Sequence, residues 1–230
     1  MTKVLFWDID GTLLYTGRAG ILALEDAARE VCGVDVSFED LKTAGLPDHG
    51  IAVMAIEAVG ATADPPTVEA FVCAYEQHLP DRLHARRGRV MPEVVNLLEA
   101  FGDGPEALSL LLTGNTAAGA RAKLRHYGLD HLIADGAFST EPLERSVIAR
   151  RALTVAADRL GHPVQPEDAY VIGDTPHDVE CGHVIGARTL AVATGAYSLE
   201  ELRAFRPWCA LESLPEPAAF ADLLGLRRAA

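Results

Sequence analysis

The chain has 230 residues, of which 49% are hydrophobic and 23% charged, so it can form one large domain or a core with a smaller inserted domain. Its 20 basic and 33 acidic residues give a formal net charge of −13, which repels nucleic-acid phosphates and anionic lipid surfaces. We therefore expect no nucleic-acid partner and no membrane partner, and any phosphate site must be built locally from a cation, a few basic side chains and backbone N–H groups.

Short apolar runs that stop at polar residues predict buried parallel strands. They lie at residues 4–7, 107–112, 169–172 and 189–193. Helical patterns lie between them at residues 92–101, 117–127, 145–160 and 178–186, and a helix, a short strand at 208–211 and a last helix at 218–224 follow Ser198. Strands that alternate with helices predict a doubly wound parallel sheet with helices on both faces.

The segment after the first strand breaks this alternation. It contains no convincing strand, and apolar spacings of three and four predict helices at residues 21–32, 51–59 and 67–83. Because the segment directly follows the loop of the first strand, we predict an all-helical insertion that covers this loop as a lid. The predicted domains are a core of residues 1–14 and 89–230 and a cap of residues 15–88.

Candidate site residues follow the predicted strands, because an open parallel sheet binds its ligands at the carboxyl ends of the strands. They are Asp8, Asp10, Gly11 and Thr12 after the first strand, Thr113, Gly114 and Asn115 after the second, and Asp174 and Asp178 after the third. Carboxylates crowded at one edge repel one another without a cation, and magnesium prefers such oxygen ligands together with substrate phosphate. Each motif alone could be a turn or a helix cap, but the three in this order favour a magnesium site.

These motifs resemble the haloacid dehalogenase-like superfamily, and within it the phosphatases similar to phosphoglycolate phosphatase. The matching segments are DIDGTLL at residues 8–14, LLTGN at residues 111–115 and VIGDTPHD at residues 171–178. The insertion after the first motif is similar to the helical cap of that family. The resemblance implies an α/β fold with a doubly wound, Rossmann-like core and an inserted cap, and a magnesium-dependent phosphatase of a small phosphorylated metabolite.

The resemblance also implies roles for the candidate residues. Asp8 would attack phosphorus and form an aspartyl-phosphate, and Asp10 would act as general acid and base. Thr113 would hydrogen-bond the transferring phosphoryl group. The implied magnesium ligands are Asp8, Asp10 through its backbone carbonyl, and Asp174, with Asp178 either a ligand or a support for one. Residues implied to bind substrate are Gly11, Thr12, Gly114, Asn115 and Asp48.

The expected catalytic cation departs from the family pattern, which places a lysine at the start of the helix before the Gly-Asp strand. The three lysines are Lys3, Lys42 and Lys123, and none lies there. Arg145 is the closest substitute, and we predict its guanidinium within ion-pair reach of Asp8 or Asp174. The alternatives are that Arg145 is a solvated residue in the first helical turn, or that Arg150 or Arg151 supplies the charge.

The cap segment offers weaker clues to the substrate. Residues 45–50 lie where related phosphatases have a Gly-x-Thr-Asp loop. Asp48 matches its acidic residue, whereas Pro47 replaces the threonine. His49 faces the active site or caps a helix. The arginines of residues 86–89 either attract an anionic substrate or form a solvated charged run.

Three rival functions remain on the same fold. A dehalogenase needs an aspartate nucleophile but neither a metal nor a second aspartate, so Asp10 and Asp174 disfavour it. A phosphomutase would use Asp8 to pass phosphate between two hydroxyls. A catalytically silent metabolite-binding protein would not need a nucleophile paired with its acid. The sequence names neither the substrate nor the oligomeric state.

Export and membrane insertion are not expected. The sequence shows no signal-like start and no uncharged apolar run of the ~18 residues that a membrane span needs. Its four cysteines form no CxxC pair, so a zinc knuckle has no support, and free thiols are favoured over two disulfides. We expect a cytoplasmic protein.

Overall fold

The computed structural model describes residues 2–141 and 144–226, and the remaining residues of the predicted core lie outside this description. The strands are β1 (Lys3–Trp7), β2 (Leu14–Tyr15), β3 (Arg89–Val90), β4 (Ala107–Thr116), β5 (Gly136–Ser139), β6 (Ala169–Gly173), β7 (Arg188–Val192) and β8 (Cys209–Leu211). The helices are α1 (Ala19–Ala27), α2 (Asp48–Ala58), α3 (Pro65–Ala85), α4 (Val94–Phe101), α5 (Ala117–His126), α6 (Arg145–Leu160), α7 (Pro176–Ile185), α8 (Leu199–Ala204) and α9 (Pro217–Leu224). A π-helical turn, Ala28–Cys32, continues α1.

Six strands form one parallel sheet in the order β5-β4-β1-β6-β7-β8. The first strand of the chain is therefore central, between β4 and β6. Trp7 pairs with Leu111 on one side and with Ile172 on the other. The three motifs lie at the carboxyl ends of these three strands, the second of them within the last half of β4, so the topology places the motifs side by side at one edge of the sheet.

Both faces of the sheet are covered, which confirms the predicted α/β fold class. Leu5 and Trp7 of β1 pack with residues of α4 and α9, whereas Val4 and Phe6 pack with residues of α6 and α7. The alternation follows from the two-residue period of a strand and from its burial on both sides. The layered core fixes the edge at which the motifs meet.

Two features of the sheet differ from the prediction. β4 does not end at Leu112 but continues to Thr116, with a change of register against β5 after Leu112. All ten of its residues are buried, because the cap covers the polar end of the strand. β5, at the edge of the sheet, was not predicted, since Gly136–Ser139 is short and contains only two apolar residues.

The insertion has a hydrophobic core of its own. Helices α1, α2 and α3 pack around buried residues that include Ile56, Phe71 and Leu79. The chain enters and leaves this unit through β2 and β3, which pair antiparallel with Leu14 opposite Val90. This ribbon lies at the predicted domain boundary. The assignment of residues 15–88 as a separate cap domain stays a prediction.

Candidate active site

The ends of β1 and β6 bring three carboxylates together beneath the cap. Asp8 follows β1, Asp174 follows β6, and Asp178 lies in the first turn of α7. All three are buried, and one oxygen of each lies within 4.8 Å of the others. The backbone N–H of Asp8 donates to the carbonyl of Ile172 at 3.0 Å, so the pairing of the two strands fixes the start of the loop.

Arg145 is the buried cation of this cluster. It begins α6, and its Nη2 lies 3.3 Å from Oδ1 of Asp8 and hydrogen-bonds to Oδ1 of Asp178. Nη1 donates to the carbonyl of Gly45 in the cap at 3.1 Å, while Nε has no hydrogen-bond partner among the described residues. Burial opposes the guanidinium charge, but Asp178 and Asp8 raise the pKa of Arg145, so it stays charged. Of the two weaker candidates, Arg150 is exposed, and Arg151 donates to Thr140 and Glu141.

Asp178 has both carboxylate oxygens engaged by protein donors. Oδ1 accepts from Arg145, and Oδ2 accepts from the backbone N–H of Thr175 at 3.0 Å and from its hydroxyl at 2.7 Å. The second set of bonds is part of a capping box at the start of α7. These bonds fit a role in holding Arg145 better than a role as a direct metal ligand.

Asp174 sits in a cradle that only glycine permits. A Cβ atom at Gly11 would lie 2.3 Å from its Oδ2, and one at Gly195 would lie 1.7 Å from the same atom. Gly11 also has a φ of +86°, which favours glycine. Thr12 donates its hydroxyl to Oδ1 of Asp174 at 3.0 Å. Gly11 and Thr12, predicted to bind substrate, thus pack against and orient a carboxylate.

Arg145 alone does not balance the charge of the cluster. Burial raises the pKa of Asp8 to about 7 against the opposing effect of Arg145, and Asp178 and Asp10 raise it further. Burial, with Asp178 and Asp8, holds the pKa of Asp174 well above its usual range. The excess negative charge lies on hard oxygen donors, which suit magnesium. Asp8, Asp174 and the backbone carbonyl of Asp10 could hold such an ion.

Lys123 is a second buried cation at the site, and sequence reasoning missed it. Its Nζ lies 2.5 Å from Oδ2 of Asp10, and the amide of Asn115 donates to the same oxygen at 2.9 Å. The lysine side chain is 5% exposed, whereas the Asp10 side chain is 41% exposed. The carboxyl group of Asp10 therefore faces the cavity, and Lys123 contacts it from the buried side. Burial opposes the ammonium charge, but Asp10, Tyr75 and Asp48 raise the pKa of Lys123.

The helical pattern contained a signal for this lysine. Ala120 and Leu124 are buried on the inner face of α5, and Lys123 lies beside them at helical spacing. A lysine on the apolar face of a helix needs a buried anion. The loop after β1 supplies this anion in Asp10.

Two neighbouring residues of the cap bind the core directly. Oδ2 of Asp48 accepts a hydrogen bond from the backbone N–H of Thr116 at 2.8 Å, and burial raises the pKa of Asp48 to about 6 although Lys123 opposes the shift. His49 is buried, and its Nδ1 lies 2.9 Å from Oγ of Ser139. His49 therefore bridges the cap to β5 instead of facing the cavity or capping the helix.

A cavity of about 950 Å³ lies between the cap and the edge of the sheet. Six of the predicted site residues line the described part of this cavity: Asp8, Asp10, Gly11, Asp48, Asn115 and Asp174. The rest of the wall combines apolar, aromatic and basic side chains, among them Leu14, Ile21, Met91, Tyr15, Tyr75, Tyr197, Arg18, Lys42 and Arg89. The candidate nucleophile and the candidate acid thus open onto the same space, which is large enough for a small metabolite.

The other five predicted site residues do not line the described part of the cavity: Thr12, Thr113, Gly114, Arg145 and Asp178. Thr113 is fully buried, and its Oγ1 accepts from the backbone N–H of Asn115 at 3.3 Å. A Cβ atom at Gly114 would lie 2.7 Å from the carbonyl oxygen of Leu46, so this glycine lets the cap loop approach the core. Thr12 orients Asp174, as described above.

Solved structures of similar architecture match nearly the whole chain. A predicted phosphoglycolate phosphatase from Haemophilus somnus is 18% identical with a TM-score of 0.68, and the match covers 97% of each chain. A Bacteroides vulgatus protein named for β-phosphoglucomutase is 17% identical with a TM-score of 0.68, covering 97% of this chain and 89% of that one. CbbY from Rhodobacter sphaeroides, solved with phosphate, is 17% identical with a TM-score of 0.72, covering 92% and 93%. At these identities the likeness concerns the fold.

Sequence comparison identifies the family. No curated protein sequence matches the chain. No described helix combines the length and the apolar character that crossing a membrane would require. The model of the haloacid dehalogenase-like hydrolase family matches residues 5–183, which include all three motifs. The chain belongs to the haloacid dehalogenase-like hydrolase family.

Proposed function

We propose that the protein is a magnesium-dependent phosphatase that hydrolyses a small phosphorylated metabolite through an aspartyl-phosphate at Asp8. One observation carries this proposal. Asp8 lies 3.3 Å from the buried guanidinium of Arg145, and a second carboxylate, Asp10, opens onto the same cavity. A nucleophile, a cation for the phosphoryl oxygens and a proton carrier are the groups that phosphoryl transfer through a carboxylate requires.

The first half of the reaction uses all three groups. A carboxylate oxygen of Asp8 attacks phosphorus while the ester oxygen leaves, and Asp10 gives its proton to that oxygen. Arg145, whose guanidinium lies 3.3 Å from Asp8, neutralises charge that develops on the phosphoryl oxygens. When bound, magnesium would supply additional positive charge at the same oxygens.

The second half returns the enzyme to its starting state. Asp10, now ionised, takes a proton from a water molecule as this water attacks the phosphorus of the aspartyl-phosphate. Inorganic phosphate leaves, and Asp8 regains its carboxylate. Asp10 thus serves as acid first and as base second, which requires that its carboxyl group stay in one place through both steps.

A phosphomutase is the second candidate, and the size of the cavity beneath the cap is the observation that favours it. A cavity of about 950 Å³ between the cap and the core can hold a sugar whose hydroxyl, in place of water, accepts the phosphoryl group. The fate of the phosphoryl group separates the two functions. A phosphatase releases inorganic phosphate at every turnover, whereas a mutase returns the phosphoryl group to a second hydroxyl.

The test is a screen of phosphorylated metabolites for release of inorganic phosphate with magnesium. We expect turnover by the wild-type protein and none by Asp8→Asn, whose amide resembles the carboxylate in shape but is not an anionic nucleophile. Isomerised substrate without released phosphate would favour the mutase. Binding of a metabolite without either product would contradict catalysis.

A further inference from the structure

Lys123 is a buried charge with no part in the chemistry proposed above. Its side chain reaches from α5 toward the first motif and ends at Asp10, which is 113 residues away in the chain. The carboxylate of Asp48 and the hydroxyl of Tyr75, both from the cap, also act on its charge. A lysine this deeply buried stays charged only because anionic groups surround it.

The hydrogen bonds at Asp10 are unequal between its two oxygens. Lys123 and Asn115 both donate to Oδ2, at 2.5 Å and 2.9 Å. Among the described residues, no side chain donates to Oδ1. Two donors on one oxygen fix the rotation of the carboxyl group and leave the other oxygen free to exchange a proton.

We propose that Lys123 is a positioning residue that holds Asp10 through Oδ2, so that Oδ1 is the oxygen that transfers the proton. This inference rests on the phosphatase proposed above. In the first step the proton passes from Oδ1 to the ester oxygen while the bond from that oxygen to phosphorus breaks and the bond from Asp8 to phosphorus forms. In the second step Oδ1 takes a proton from the attacking water.

A purely structural ion pair is the competing explanation, and leaving groups distinguish the two. A nitrophenolate leaves without being protonated, whereas an alkoxide leaves only with help from a general acid. Loss of Asp10 positioning therefore slows an alkyl ester far more than a nitrophenyl ester. General damage to the site slows both esters alike. The parameter to measure is kcat/KM, which reports the steps up to release of the alcohol.

The experiment compares 4-nitrophenyl phosphate with 4-nitrobenzyl phosphate, which are similar in shape, on the full chain with magnesium. We expect Lys123→Met to lower kcat/KM for the benzyl ester by about 10²-fold, at the low end of the ~10²–10⁴ that a general acid contributes, and to change the phenyl ester little. The control is Lys3→Met, which removes a lysine–aspartate pair of the same kind at the other end of β1. It should change neither ester.

A double mutant tests whether Lys123 acts through Asp10. In the Asp10→Asn background, Lys123→Met should have almost no further effect on the benzyl ester, because the two residues form one unit. Equal slowing of both esters, or full additivity of the two substitutions, would overturn the inference while leaving the phosphatase proposal intact.

Failure of this inference differs from failure of the proposed function. If the wild-type protein hydrolyses neither ester and releases no phosphate from any metabolite, the proposed function itself fails. If thermal unfolding shows that Lys123→Met does not fold, Lys123→Gln replaces it; because its amide can still donate to Oδ2 but is shorter and uncharged, it should slow the benzyl ester selectively but less than about 10²-fold, and equal slowing of both esters would again overturn the inference.

Discussion

The two sides of the site each hold one buried cation but carry different charge. On the nucleophile side, Arg145 faces the carboxylates of Asp8, Asp174 and Asp178. On the acid side, Lys123 and the amide of Asn115 both hold one oxygen of Asp10. The first side has more negative charge than its cation can balance, and the second has a carboxylate already supplied with donors.

This difference indicates what each side needs in order to work. On the nucleophile side, the positive charge does not balance the negative charge of the carboxylates, since burial and mutual repulsion raise the pKa of Asp8 and of Asp174. A divalent cation would remove that penalty and would supply positive charge at the phosphoryl oxygens. The acid side already has its donors, which fits the proposed task of keeping one carboxyl group in a fixed orientation. Removal of metal and loss of each cation should therefore have separable effects.

Removal of the divalent ion should have the largest effect. With excess chelator we expect no measurable phosphate release, because among the described residues Arg145 is then the only cation that compensates the charge of Asp8 and Asp174. Magnesium should restore activity, whereas calcium should restore little, since its looser geometry and larger ligand number disturb in-line attack. Full activity in chelator would contradict the metal requirement of the nucleophile side.

Loss of the cation on the nucleophile side should be the next largest effect. We expect Arg145→Ala to lower kcat by about 10²–10³-fold, the range seen when one preorganised donor to the reacting oxygens is lost. Arg145→Lys should recover part of this loss. Arg150→Ala is the matched control in the same helix and should be almost silent. If Arg145→Ala and Arg150→Ala proved equally active, Arg145 would not be the catalytic cation.

The pH dependence of stability should show the uncompensated charge directly. A carboxyl group with a raised pKa in the folded state binds its proton more tightly there. Its ionisation therefore lowers stability as the pH rises from about 4, the ordinary range, to about 7, where Asp8 ionises in the fold. In chelator, the melting temperature of Asp8→Asn should exceed that of the wild type by a margin that grows across this window. A margin that is constant with pH would show that Asp8 carries no such penalty.

The smallest effect is expected where the cap is fixed to the acid side. Asp48 accepts from the N–H of Thr116, at the N-cap of α5. Asp48→Ala leaves this N–H without its partner and should lower the free energy of unfolding by about 1 kcal/mol, measured by urea denaturation. Asp48→Asn keeps an acceptor and serves as the control. Equal stability of the two variants would indicate that the bond contributes nothing.

The sequence predicted the nucleophile side better than the acid side, for a physical reason. Asp8 and Asp174 directly follow buried strands, and parallel strands bring their carboxyl ends to one edge of the sheet regardless of the conformation of the loops. Arg145 begins the helix before the strand that ends in Asp174, so its place also followed from chain order. The roles of these residues stay proposals.

The acid side depends on contacts between distant parts of the chain: the helical spacing of α5 indicates that Lys123 is buried but not which residues pair with it. Lys123 is buried because Asp10 and two cap residues approach it from distant parts of the chain. The extension of β4 through Thr116 likewise depends on coverage by the cap, and a polar sequence there gives no sign of a strand. Asp48 was expected to contact substrate, but one of its oxygens binds a backbone N–H that only the folded β4–α5 junction presents.

The central claim, covalent catalysis by Asp8, is tested most directly by trapping the intermediate. The protein is mixed with 4-nitrophenyl phosphate and magnesium, quenched in acid within a turnover and digested, and the peptides are analysed by mass spectrometry. The account predicts one added phosphoryl group on the peptide that contains Asp8, sensitive to hydroxylamine as an acyl phosphate is, and absent from Asp8→Asn. Release of phosphate by the wild type at the same rate as by Asp8→Asn, with no phosphorylated Asp8 peptide, would contradict it.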